Sequence, residues 1–328
     1  MITPRILVLG TGGTIAGAGS NATGAAYRPG GLALDVLVGD LAALGLDARL
    51  VPQEIARIGS QDIGFAQWRA LHRACAGALA DPAVDAIIIT HGTDTAEETG
   101  FLLDLTLPCA KPIVLVGAMR PADAVGADGM RNFANAVKVA SDPAAAGRGV
   151  MLVMGDAVLA ARDARKAATS SIDAFRSFPR GPLARVTPAR LDWFGPPHRV
   201  GAAARYPFPE ALPRVAILAA GAGMDEQPVT ALLTIGCKGI VLAGMGQGNA
   251  PARVIAALAE AAAAGVPVVR STRVDEGLVD RNVEVDDDGL GLVAARALGP
   301  AKARMLLMVL IAGGITDPAR VQAAFDQE

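Results

Sequence analysis

Arg5-Ile-Leu-Val-Leu-Gly10-Thr-Gly-Gly-Thr14-Ile-Ala-Gly17 joins a short apolar run to a glycine-rich turn. The reading of that junction decides the fold. Residues 6–9 are apolar without alternation, as expected of a strand buried on both faces. The same unit recurs downstream. Residues 86–89 feed Thr90-His-Gly-Thr-Asp-Thr95, residues 113–116 feed Gly117-Ala-Met-Arg-Pro121, and residues 150–153 form a further apolar run. Helical spacing of apolar residues fills the intervals at 65–79, 95–105 and 130–140. Strands alternating with helices predict an α/β fold with a mostly parallel, doubly wound sheet.

A second, smaller α/β series follows. Residues 215–218, 240–242 and 266–269 read as strands, with helices near 228–235 and 251–263. Between the two series lie Trp193-Phe-Gly-Pro-Pro-His198 and Tyr206-Pro-Phe-Pro-Glu-Ala-Leu-Pro213, with five prolines. Proline removes a backbone donor and disfavours both helix and central strand. The expected organisation is an N-terminal domain over 1–190, a proline-rich linker over 191–213 and a C-terminal domain over 214–328. A chain of 328 residues suits two cores better than one.

Bulk composition narrows the function classes. Hydrophobic residues make up 52% and charged residues 19%, which excludes a disordered chain. The formal charge of −2 lacks the basic excess that phosphate contacts need, so no nucleic-acid partner is expected. The longest apolar stretch, residues 305–315, falls short of the roughly 18 residues that span a bilayer, so no membrane association is expected. Met1 runs straight into the first strand instead of a secretory signal, which predicts a cytoplasmic protein, or a periplasmic one if the chain is a processed mature form. Three cysteines without a Cys-x-x-Cys pair make no disulfide framework. Cys75 shares an apolar helical stripe with Phe65, Trp68, Leu71 and Leu79 and reads as a buried thiol.

Chemistry is expected in the loops that follow the strands, because open parallel sheets bind ligands there. A strand followed by Gly-x-Gly also opens dinucleotide sites. Here the third glycine of that fingerprint is replaced by Ile15, and no acidic residue is well placed about 20 positions on. What remains is Thr14 and Thr93 at one edge of one sheet. A hydroxyl needs a base or strong polarisation to act as a nucleophile, and glycine turns supply N–H groups for a developing oxyanion. Either threonine, taken alone, is equally at home closing a turn. Asp94, with Glu97 three positions later, also fits a helix cap. Lys166, within Arg162-Asp-Ala-Arg-Lys-Ala, reads by itself as part of a solvated charge run, and Asp286-Asp-Asp-Gly289 as a solvated turn rather than a metal site.

Taken together, the loops resemble the bacterial-type L-asparaginase family. Thr11-Gly-Gly-Thr-Ile-Ala-Gly17 looks like its first signature and Thr90-His-Gly-Thr-Asp-Thr-Ala-Glu-Glu-Thr99 like its second. Ile58-Gly-Ser-Gln-Asp62, Val116-Gly-Ala-Met-Arg-Pro121, Ala127-Asp-Gly129, Gly244-Met-Gly-Gln-Gly-Asn249 and Glu284-Val-Asp-Asp287 follow in family order. The motifs are closest to the secreted branch, although Asp81 stands where that branch's disulfide would begin and Gln247 where Asn is common.

The resemblance implies hydrolysis of L-asparagine to L-aspartate and ammonia through an acyl-enzyme, without cofactor or metal. It implies Thr14 as nucleophile, poised by Tyr27 on a mobile segment, and a second polar triad of Thr93, Asp94 and Lys166. Lysine is ordinarily protonated, so Lys166 is a base or an electrostatic support according to its surroundings. Ser60 and Gln61 would hold the substrate's α-carboxylate, Asp94 its ammonium, and the Ala118 carbonyl the leaving amide. Asn249 and Glu284 would reach the ammonium end from a neighbouring subunit, which implies a homotetramer built from close dimers. The alternatives are a glutaminase-asparaginase that also accepts L-glutamine, and a non-catalytic amino-acid sensor on the same scaffold. A sensor would have lost Thr14, Tyr27, Thr93 or Lys166, and all four are present. His72 and His91 show no metal-ligand spacing and read as packing and loop structure.

Overall fold

The computed structural model describes residues 3–19, 27–28, 30–31, 33–35, 38–39, 47–199 and 203–328, with backbone alone for 18, 19, 27 and 28. The chain divides into two compact units, Met1–Arg205 and Tyr206–Glu328.

In chain order the first unit holds β1 (Arg5–Gly12), β2 (Ala18–Gly19), β3 (Tyr27–Arg28), β4 (Arg49–Ile58), β5 (Ala86–Thr90), β6 (Ile113–Val116), β7 (Val150–Met154), β8 (Ala157–Ala160), β9 (Ala164–Lys166), β10 (Phe175–Ser177), β11 (Ala184–Val186) and β12 (Leu191–Trp193). Eight of these form one sheet in the order β12-β11-β8-β7-β6-β5-β1-β4. From β4 to β7 all pairings are parallel. From β7 to β12 they are antiparallel. The apolar runs are central strands for a simple reason: with side chains alternating across the pleat, both faces are covered. Ile6, Val8 and Ile88 pack with Phe133, Ala136 and Val137 of helix Gly129–Ala140. Leu9, Ile87 and Ile89 pack on the other face with Leu71 and Cys75 of helix Phe65–Ala80 and Leu103 of helix Ala96–Thr106. The doubly wound sheet is therefore realised, and Cys75 is the buried thiol its stripe predicts.

The proline-rich stretch opens on β12, whose Trp193 ring receives the Arg148 guanidinium at 3.9 Å. Arg148 also donates to the Gly195 carbonyl.

The second unit is a four-stranded parallel sheet, β13 (Val215–Ala219), β14 (Gly239–Gly244), β15 (Val268–Thr272) and β16 (Val293–Ala294), in that order. Helices Gln227–Thr234 and Ala252–Ala263 follow β13 and β14, and Pro300–Ala312 and Pro318–Phe325 close the chain. Two expectations are corrected here. The third strand was expected over 266–269, but it begins after Pro267, which offers only its carbonyl, to Ile240 N. It then continues through Arg270, Ser271 and Thr272, all buried. The acidic run 286–289 is a solvated turn only in part: Asp286, Asp288 and Gly289 are exposed, but Asp287 is not. Asp287 is fully buried and takes Arg270 in two bonds, Nε to Oδ1 at 2.5 Å and Nη2 to Oδ2 at 2.8 Å. Asp286 behaves as a turn residue, accepting from Gly289 N. Among the described residues no helix is long and apolar enough to cross a membrane.

Candidate active site

The site is assembled from loops at the ends of neighbouring parallel strands. β1 lies between β4 and β5, so the loops after these strands emerge side by side. Gly13 N donates to the Ile58 carbonyl, and Thr11 Oγ1 donates to the Thr90 carbonyl. The loops then meet backbone to backbone. A Cβ placed on Gly13 would lie 2.5 Å from the Gly92 Cα, and one on Gly92 would lie 2.6 Å from Ser60 Oγ. Gly13 also has φ +79, a left-handed conformation that glycine alone adopts without strain. Glycine at both positions is thus the condition for the loops carrying Thr14, Ser60 and Thr93 to converge.

They converge on a cavity of about 260 Å³, lined among others by Thr14, Ser60, Gln61, Thr93, Asp94 and Lys166. Thr14 sits on a single 3-10 turn, Thr14–Ala16, and is buried. Ser60 is buried on the turn Ser60–Asp62, and its carbonyl accepts from Thr95 Oγ1 at 2.8 Å. Gln61 lines the same cavity from an exposed position.

Lys166 is the residue whose isolated reading the structure corrects. It ends β9, where pairing with Phe175 of β10 fixes its direction, and it is only 17% exposed. Its Nζ donates to Thr93 Oγ1 at 2.9 Å and to Asp94 Oδ1 at 2.5 Å. Lys166 is therefore no member of a solvated charge run. Nor does Asp94 cap the helix that follows: the N-cap is Thr95 and no side chain bonds there, leaving the Asp94 carboxylate to Lys166. Because Thr93 Oγ1 accepts from an ammonium, its own O–H remains a polarised donor.

His91 stands behind this loop. It is buried, and burial pushes its pKa down to about 4 despite the opposing bond to the Gly92 carbonyl. The ring is neutral near pH 7, with Nδ1–H donating to Gly92 O at 2.7 Å. Its Nε2 has no hydrogen-bond partner among the described residues. The histidine holds the turn before Thr93, as a loop residue would.

The remaining expected residues fall as follows. Ala118 follows β6 and is buried; its neighbour Met119 lines the cavity. For Tyr27 only the backbone is described, as β3 paired to β2, and its side chain lies outside the described residues. Most of the segment expected to move, residues 17–30, lies outside them too. Asn249 and Glu284 belong to the second unit, where Asn249 Nδ2 donates to Glu284 Oε2. Both line a hollow there of about 420 Å³. Thr169 lines the threonine cavity and was missed by sequence reasoning; the only signal was a hydroxyl three residues beyond Lys166. Among the described residues no His, Cys, Asp or Glu group is arranged to hold a metal.

This geometry fits comparisons made independently of it. A family model described as the asparaginase N-terminal domain matches residues 5–199. One described as the glutaminase/asparaginase C-terminal domain matches residues 214–325. L-asparaginase 2 of Escherichia coli is 41% identical over 328 residues, covering 99% of this chain and 93% of the relative. A probable periplasmic L-asparaginase of Haemophilus influenzae is 40% identical over 326 residues, covering 98% and 93%. The crystal structure of a probable cytoplasmic L-asparaginase from Campylobacter jejuni superposes with a TM-score of 0.92 at 35% identity, covering 99% of this chain and all of that one. With both domain models in register and relatives matching nearly end to end, the chain belongs to the asparaginase family.

Proposed function

We propose that this chain hydrolyses L-asparagine to L-aspartate and ammonia, with Thr14 as the nucleophile. The observation that carries the reading is the convergence of Thr14 with the Lys166–Thr93–Asp94 cluster in one cavity. The Thr14 oxygen attacks the side-chain amide carbon, and its hydroxyl proton passes, with Tyr27 poising it, towards the departing nitrogen. The C–N bond breaks and ammonia leaves, with an ester to Thr14 behind it. Water, activated beside the Lys166-polarised Thr93 hydroxyl, then cleaves that ester. This restores the Thr14 hydroxyl and releases aspartate. Lys166 acts as electrostatic support, since its Nζ already donates to both partners.

Substrate recognition follows charge. Ser60 and Gln61 take the α-carboxylate and Asp94 the α-ammonium. The Ala118 carbonyl takes the leaving amide. Asn249 and Glu284 serve the ammonium end from a neighbouring copy in a homotetramer. A cytoplasmic location belongs to the same proposal, in keeping with three buried free thiols at Cys75, Cys109 and Cys237.

Ammonia release from L-asparagine and from L-glutamine, by wild type, Thr14→Ala and Thr93→Ala, tests the proposal. Wild type is expected to turn over asparagine faster than glutamine. Each variant should lose on the order of 10⁴-fold in kcat with thermal unfolding unchanged. Near-normal turnover by Thr14→Ala overturns the nucleophile. A wild type equally fast on glutamine makes it a glutaminase-asparaginase, and one that binds asparagine without releasing ammonia makes it a sensor.

A further inference from the structure

Asp128 occupies the N-cap position of helix Gly129–Ala140, yet its side chain accepts no backbone N–H of that helix's first turn. A capping-competent residue normally satisfies its own helix. Here the carboxylate turns to the loop after β6 instead. Met119 N donates to Oδ1 at 3.1 Å and to Oδ2 at 3.0 Å, and Arg120 N donates to Oδ1 at 3.0 Å. Asn132, one turn along and buried, fastens the other side. Its Nδ2 donates to Asp128 Oδ2 and to the Gly117 carbonyl, both at 3.0 Å, while its Oδ1 accepts from Gly155 N. Asn132 takes the Gly117 carbonyl, and two residues on Asp128 takes the N–H groups of Met119 and Arg120. The carbonyl between them is that of Ala118.

Met119 N–H and Ala118 C=O belong to one peptide unit. A trans peptide is planar and points these two groups in opposite directions, so fixing one aims the other. A carboxylate on the N–H also polarises the whole unit and strengthens the carbonyl as an acceptor. We propose that Asp128 is a positioning residue for amide cleavage: through the Ala118–Met119 peptide it aims and enriches the Ala118 oxygen that receives the N–H of the leaving nitrogen. This rests on the reading of Ala118 given under Proposed function. Asp128 itself touches no reacting atom, and Asn132 holds it in register.

The relay acts only on a leaving group that carries hydrogen. The discriminating measurement is kcat/KM for L-asparagine beside kcat/KM for the β-methyl ester of L-aspartate, whose leaving oxygen has none, in wild type and Asp128→Asn. Asp128→Asn keeps the shape and one acceptor oxygen and removes the charge. It should lower kcat/KM for the amide roughly 10- to 100-fold, the scale of a lost charge-assisted hydrogen bond. The ester value should fall less than about 3-fold. Equal losses on both substrates, or none on either, overturn the proposal. Should Asp128→Asn not fold, Asp128→Ser retains a neutral acceptor and the same ratio decides. A wild type that hydrolyses the ester but not asparagine would sink the amidase reading itself, and this proposal with it. That outcome is distinct from a variant whose ratio fails to move.

Discussion

Two ion pairs in this protein close to the same 2.5 Å and behave as opposites. Arg270 and Asp287, in the second unit, are 1% and 0% exposed. Lys166 and Asp94, in the first, are 17% and 59% exposed. Arg270 also donates to the carbonyls of Gln247, Gly248 and Asp280, and Asp287 also accepts from Asn282 N. Those partners are backbone, so the buried pair is saturated and has nothing left to offer a ligand. The Lys166 pair faces a cavity and reaches a hydroxyl instead of a carbonyl. The difference teaches that separation alone does not identify a functional pair. What matters is whether the remaining donors and acceptors are used up by the fold or left towards open space.

The largest expected effect breaks the saturated pair. Arg270→Ala strands a buried carboxylate and should cost about 3–5 kcal/mol in urea denaturation. A loss below about 1 kcal/mol would mean the pair is no more than a surface contact. The next concerns His91. Its folded-state pKa of about 4 lies below the ordinary 6.5, so the unfolded chain takes the proton first as pH falls. The neutral ring's contribution is complete above about pH 6.5. It declines between 6.5 and 4, reaching a loss of about 3 kcal/mol. Stability against pH, measured for wild type and His91→Gln, should diverge in that window. Parallel curves would show that His91 is not held neutral.

Lys166→Met probes the open pair. It should lower kcat on the order of 10²-fold while shifting unfolding by less than about 1 kcal/mol. The reverse pattern, intact turnover with a large stability loss, would place Lys166 in the same class as Arg270. The smallest effect serves as the benchmark. Arg131 and Asp156 pair at 2.7 Å with side chains 59% and 45% exposed. Arg131→Ala should change both turnover and stability by less than about 0.5 kcal/mol, as read by the same two assays.

The comparison also shows what could be read from sequence and what could not. The strands at 6–9, 86–89 and 113–116 were legible because burial on both faces demands unbroken apolar runs. The loops were legible because glycine is the price of close backbone approach. Lys166 was not legible from its neighbours, since its partner Asp94 lies 72 residues earlier in the chain. Nothing in Arg162-Asp-Ala-Arg-Lys-Ala distinguishes a solvated lysine from a captured one. Family resemblance supplied that residue. Asp287 was misread for the same reason: an acidic run looks solvated until Arg270, 17 positions earlier on β15, is found beside it. Asp128 carried a motif but no role, because a capping residue and a residue that turns aside look identical in sequence.

The Gly13–Gly92 contact has a consequence for how the site tolerates heat. Side chains hop among rotamers, so a gap propped open by leucines or valines would breathe with each jump. Here the spacing between the two hydroxyl-bearing loops is set by bare main chain, anchored in adjacent parallel strands. Rotamer noise in the core therefore has no lever on that spacing, and the aim of the two threonines should hold until the strands themselves begin to part.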